Sequence, residues 1–142
     1  PSVVSWAGAC GIMQIMPTTA ISLGLTEEEF HDPEKNIKAS VQYLKKMVRL
    51  FPHIVDAQEQ IKFVLASYNA GPGHVFDARA LASKNGLNPD IWDNVKEFLR
   101  LKSNPIFYND EVCKYGYCRG EEPINYVEEI TTKYAEYILW AK

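Results

Sequence analysis

The sequence predicts a single, mainly α domain spanning residues 1–142. Three observations carry that expectation. Apolar residues recur at three- and four-residue steps nearly throughout, the spacing of one helix face. Capping residues and Gly/Pro breakers punctuate the chain at helix-length intervals. No segment alternates apolar and polar side chains as a half-buried strand does, and no repeat, low-complexity tract or interdomain linker divides the chain.

The elements follow in order. In "TEEEF", Thr26 with Glu29 three positions on is a capping-box signature. Asp32 caps a longer helix with Pro33 at its tolerated first position. On it Ile37, Val41, Leu44, Met47/Val48 and Phe51 mark one expected buried face, and Pro52 ends it. Asp56 with Glu59 repeats the capping pattern and opens "AQEQIKFVLASYNAG", which Gly71, Pro72 and Gly73 stop. "HVFDARALASKNG" reads as another helix, closed by Asn85-Gly86. "IWDNVKEFLRL" is amphipathic through Ile91, Val95, Phe98 and Leu99. Residues 102–120, with Pro, Asn, Asp and Gly, read as a long loop. "EEPINYVEEITTKYAEYILWA" is the last helix, with Ile124, Val127, Ile130, Tyr134 and Ile138/Leu139 on its apolar stripe.

Composition narrows the function classes. With 46% hydrophobic and 23% charged residues the chain is an ordinary globular sequence, long enough to bury a sizeable core. Its net charge of −3 argues against non-specific nucleic-acid binding, which needs a basic surface. No apolar stretch is long enough to span a bilayer. The chain opens at Pro1 with no Met and no signal peptide, so a mature fragment or a cut domain is expected. Of the three cysteines, Cys10 reads as a buried apolar thiol. Cys113 and Cys118 bracket "KYGY"; a disulfide and two free thiols are both open, since spacing does not give geometry. They fit no zinc pattern, and no metal site is expected.

Three places break the core pattern. In "GACGIMQIMPTTA" Gln14 stands among methionines and isoleucines, and burying an unpaired amide costs about 1–3 kcal/mol. It is either paired inside the fold or faces a cleft. "SYNAG", residues 67–71, ends an apolar helix with polar groups, which simple helix termination also explains. Tyr126 sits between Asn125 and Val127, where it alone would read as core with a satisfied hydroxyl.

Taken together, "SWAGACGIMQIMPTTA", "SYNAGPGHV" and "RGEEPINYVEEI" resemble the successive motifs of the lytic murein transglycosylases, whose SLT-type fold is lysozyme-like and related to goose-type lysozyme. The second motif is Gly11-Ile12-Met13-Gln14, the third Ser67-Tyr68-Asn69, and the fourth Tyr126. "DPEKNIKAS", "GHVFDARALA" and the run Gly116 to Glu121 resemble the membrane-bound transglycosylase F branch most.

The resemblance implies a sugar cleft. Gln14 would bond substrate amide or hydroxyl groups, Met13 would pack on a sugar face, Asn69 would donate to the sugar, and Ser67 and Tyr68 would shape the cleft. The family often has Ala at the Ser67 position, which makes that role less secure. The resemblance further implies peptidoglycan glycan strands as partner and no cofactor. It implies a monomer in the periplasm or cell envelope, with outer-membrane association in the parent.

The family's reaction is non-hydrolytic. One Glu protonates the MurNAc-GlcNAc β-1,4 bond oxygen, then accepts the proton of the muramic 6-hydroxyl, which closes onto C1 as a 1,6-anhydro end. That Glu lies in a Glu-Ser motif shortly before the stretch matching Pro1 to Ser5, so it is expected upstream of Pro1, on a first helix this chain lacks, and the chain alone is expected to be inactive. Tyr126 would orient that Glu. Within the chain, Glu121 and Glu122 fit the favoured first turn of a helix, and Asp77 an amphipathic helix paired with solvent or a cation. His74 reads as a structural or surface residue with no catalytic role, and His31 and His53 sit at helix boundaries beside Asp32 and Pro52. Two other readings stand beside the enzyme: a catalytically dead peptidoglycan-binding module, and a muramidase that uses water as goose-type lysozyme does.

Overall fold

The computed structural model describes residues 17–141. Seven α-helices and one 3₁₀ turn are present among these residues, and no strand. The fold is mainly α, as the periodicity predicts. The chain divides into two compact units, Pro1–Lys46 and Met47–Lys142.

In the first unit, α1 spans Pro17–Ser22, a short helix the spacing did not announce. The 3₁₀ turn Glu27–Glu29 follows Thr26, whose backbone N–H donates to the Glu29 carboxylate at 3.0 Å, as the capping signature requires. α2 spans Pro33–Val48, and Asp32 accepts from the Lys35 amide at 3.0 Å. Ala20, Leu25, Phe30 and Ala39 form a small core with Leu23 against it.

The expected face of α2 is corrected. Ile37 and Val41 are exposed, whereas Asn36, Ala39 and Ser40 are buried. The polar residues are accommodated because their hydrogen bonds are local. Asn36 Nδ2 donates to the Phe30 carbonyl (3.1 Å) and Ser40 Oγ to the Asn36 carbonyl (2.8 Å). A buried group so bonded carries little desolvation penalty.

In the second unit, α3 spans Ala57–Ala70; the Asp56 carboxylate accepts from the Gln58 and Glu59 amides. α4 spans Pro72–Lys84, so Pro72 and Gly73 begin the next helix and do not break the chain. Gly71 alone joins the two helices, at φ +97°, a conformation L side chains rarely adopt. α5 spans Trp92–Leu101 and borrows its cap: the Glu59 carboxylate on α3 accepts from the Trp92 amide at 2.8 Å. A four-residue helix α6, Pro105–Tyr108, interrupts the expected loop, because Asn104 caps the Ile106 amide and Pro105 presets the first position. α7 spans Glu121–Ala141.

α3 packs on α4 and α7, and α4 packs on α5. The core is aromatic. Phe63 lies edge-on to Trp92 at 5.5 Å, and Phe51 contacts both Phe63 and Phe76. The Arg79 guanidinium lies over the Phe51 and Phe63 rings, 5.6 and 5.7 Å from their centroids, and binds Asp90 at 2.6 Å, a cation–π placement with an ion pair at its edge. Gly120, just before α7, lies so close to α5 that an added Cβ would collide with the Leu99 carbonyl.

On α7, Ile124 and Val127 are buried as expected, but Tyr134, Ile138 and Leu139 are exposed. The amphipathic pattern runs further than the surface that covers it.

Candidate functional site

The last turn of α3 sends three consecutive side chains different ways, since successive helical residues are 100° apart. Ser67 points inward and is fully buried, Tyr68 is half-buried, and Asn69 is exposed. Ser67 Oγ has no hydrogen-bond partner among the described residues. A hydroxyl left so costs about 1–3 kcal/mol.

The α3–α7 packing brings Tyr68 to Tyr126. Their rings are 8° from parallel with centroids 6.4 Å apart. Burial, and then the neighbouring Tyr68, push the Tyr126 phenol up to about 12. The hydroxyl of Tyr126 is therefore neutral across physiological pH and able to donate. Thus the third and fourth sequence motifs meet in space. Met13 and Gln14, and with them Cys10, lie outside the described residues.

A second cluster, on α4 and the segment after α5, is one that sequence reasoning missed. Lys102, immediately after α5, is fully buried and binds Asp77 of α4 at 2.6 Å. Of the two partners expected for Asp77, solvent or a cation, the structure gives the cation, Lys102. Burial alone would raise its pKa, but Lys102 and the Lys114 and Tyr115 amides, donating at 2.8 and 2.9 Å, hold it below the usual carboxylate range. Lys102 Nζ also donates to His74 Nδ1 at 2.8 Å. Burial, then the Lys102 charge, lower the His74 pKa against the pull of Asp77, so the ring is neutral and can accept.

A signal for this cluster existed. Lys102 follows Val95 and Leu99 at steps of four and three, and Asp77 precedes Leu81 by four. Each apolar stripe thus carries one charge, of opposite sign.

The remaining candidates are engaged elsewhere. Glu121 bonds Arg100 at 2.7 Å at the start of α7. Cys113 and Cys118 are separate thiols in this structure, both raised above the usual thiol range chiefly by burial. Among the described residues no group of three or more His, Cys, Asp or Glu side chains is placed to hold a metal ion.

Known proteins are similar to this chain over nearly its whole length. Residues 1–91 match the family model described as the Transglycosylase SLT domain. Over 138 residues the chain is 41% identical to a protein of Photobacterium profundum named membrane-bound lytic murein transglycosylase F, covering 97% of this chain and 26% of that protein. A protein of the same name from Desulfosudis oleivorans is 42% identical over 94% of this chain and 29% of its own length. One from Vibrio campbellii is 40% identical over 97% and 25%. The chain therefore spans about a quarter of the length of the curated relatives it matches. The family match covers more than half of the chain and includes both the Gly11–Gln14 and Ser67–Asn69 segments. This chain belongs to the transglycosylase SLT domain family.

Proposed function

We propose that residues 1–142 form the catalytic domain of a peptidoglycan lytic transglycosylase, which cleaves the MurNAc-GlcNAc β-1,4 bond and leaves 1,6-anhydro-MurNAc ends. The observation that carries this reading is the parallel Tyr68–Tyr126 pair at the end of α3, with Asn69 exposed beside it. Flat apolar faces next to an oriented amide are what a sugar ring needs. By the resemblance, Met13 would pack on a sugar face and Gln14 would bond sugar amide or hydroxyl groups.

The chemistry requires a carboxyl that first donates and then accepts a proton, with its pKa raised toward neutrality. Asp77 is unsuited, held ionised by Lys102, and Glu121 is engaged by Arg100. As the resemblance implies, the reading takes the acid from a Glu upstream of Pro1, set against the neutral Tyr126 hydroxyl, which orients it; residues 1–142 alone are then expected to be inactive. That carboxyl protonates the bond oxygen, then receives the proton of the muramic 6-hydroxyl as it attacks C1. No water enters the product.

The relatives' names, membrane-bound and murein, support the cell envelope as the place of action and peptidoglycan strands as partner. Among the described residues no helix is long and apolar enough to cross a membrane. The reading places the natural protein in the periplasm or cell envelope, with outer-membrane association in the parent, acting as a monomer.

The test is mass spectrometry of peptidoglycan treated with the natural protein. Muropeptides lighter by one water support the transglycosylase. Ordinary reducing ends establish a muramidase. Uncut strands with retained binding establish a wall-binding module.

A further inference from the structure

The geometry points to Tyr115 as a glycan-stacking platform that extends the sugar cleft past the end of α3, an inference that rests on the reading above. Tyr115 is 56% exposed, yet its surroundings hold it in place. The Asp77 carboxylate accepts from its backbone amide at 2.9 Å and from the Lys114 amide at 2.8 Å. That carboxylate is itself fixed by the buried Lys102. Gly116, the next residue, adopts φ +71°, a backbone conformation that favours glycine.

The ring lies against the first turn of α4. A Cβ added at Gly73 would come within 2.5–2.6 Å of the Tyr115 ring. His74 meets the same ring edge-on, with centroids 6.5 Å apart. Gly73 is therefore a seat that only glycine leaves open.

This seat is four residues after Asn69, so at most about 14 Å of chain separates them, at ~3.3–3.6 Å per residue. That span suits the next sugars of a strand already lying on Tyr68 and Tyr126. A buried ion pair is a costly way to hold a surface loop. Holding a half-exposed aromatic face steady for an apolar sugar face gives that cost a use, since a preordered contact loses little entropy on binding.

The test compares Tyr115→Ala and Tyr115→Phe with the unaltered natural protein. It reads Kd for uncrosslinked glycan strands several disaccharides long, and KM and kcat on the same strands. Tyr115→Ala is expected to raise Kd and KM about tenfold with kcat within about twofold, the pattern of lost uniform binding. Tyr115→Phe keeps the ring and is expected to restore both. Gly73→Ala, which displaces the ring without removing it, is expected to raise Kd as Tyr115→Ala does. Unchanged Kd in Tyr115→Ala overturns the platform while leaving any cleavage by the unaltered protein, and hence the enzymatic reading, intact. Strands bound but uncut by the unaltered protein overturn the lytic reading, and the Kd comparison still decides Tyr115.

Discussion

The rings of Tyr68 on α3 and Tyr126 on α7 lie 8° from parallel, 6.4 Å between centroids, and tie two sequence motifs 58 positions apart into one surface. If the Tyr126 hydroxyl orients the proton-donating carboxyl, its loss harms chemistry and spares the fold. Tyr126→Phe in the natural protein is expected to lower kcat about 10²-fold, the scale of a misplaced catalytic group. Its melting temperature is expected to stay near that of the parent, because the ring and its packing remain. A fall in melting temperature matching the fall in rate would make the hydroxyl structural.

The same hydroxyl has a spectroscopic signature. Tyr126 holds its proton to about pH 12 when folded, above the ordinary value of 10.0. Its neutral form is thus favoured by folding, and the stability linked to it is present below pH 10 and lost as pH rises from there toward 12. Ultraviolet titration of tyrosinate is expected to show a late-ionising group that is missing in Tyr126→Phe. An unchanged titration curve would remove the argument for a neutral donor.

Ser67 offers the reverse effect. Its buried Oγ has no partner among the described residues, so removing it relieves a desolvation cost. Ser67→Ala is expected to raise stability by about 1 kcal/mol by chemical denaturation, with turnover little changed. Loss of both would assign the hydroxyl to a bond made in the working protein.

The Lys102–Asp77 pair predicts strong coupling. Lys102→Met strands a buried carboxylate and is expected to cost about 3–5 kcal/mol, while Asp77→Leu with Lys102→Met recovers part of it. The recovery is partial because Asp77 also serves the Lys114 and Tyr115 amides. Additive single and double effects would show that the pair is not coupled.

His74 sets a pH window for the same cluster. Its folded pKa is depressed below 6.5, so the unfolded chain takes up the proton first. The associated stability is present above about pH 6.5 and is lost as pH falls below it. Denaturation midpoints between pH 7.5 and 5 are expected to fall in the parent and to flatten in His74→Gln. Equal slopes would place the titrating group elsewhere.

What could be read from the sequence divides along a physical line. Asp56, Asp32 and Glu29 act on amides within three residues of themselves, so their roles are visible in the letters. The face of α2 was not, because whether Ile37 or Asn36 is covered depends on what packs there. The spacing of α7 likewise gives an apolar stripe but not where its cover ends, near Ile130. Pro72-Gly73 reads as a breaker locally and becomes a helix start only because Gly71 alone makes the turn. Of the candidate site, Ser67, Tyr68, Asn69 and Tyr126 are legible through motif order. Lys102 and Tyr115 were missed because their meaning comes from partners 25 and 38 residues away.

The proposed function requires a glycan strand to bind across the α3–α7 junction. Tyrosine-ring and asparagine-amide NMR signals of the natural protein, followed while adding soluble glycan strands, test it most directly. The account predicts saturable shifts at Tyr68, Tyr126 and Asn69, with Tyr134 and Tyr137 at the far end of α7 unmoved. Saturable shifts confined to other residues, with these three silent, would contradict it.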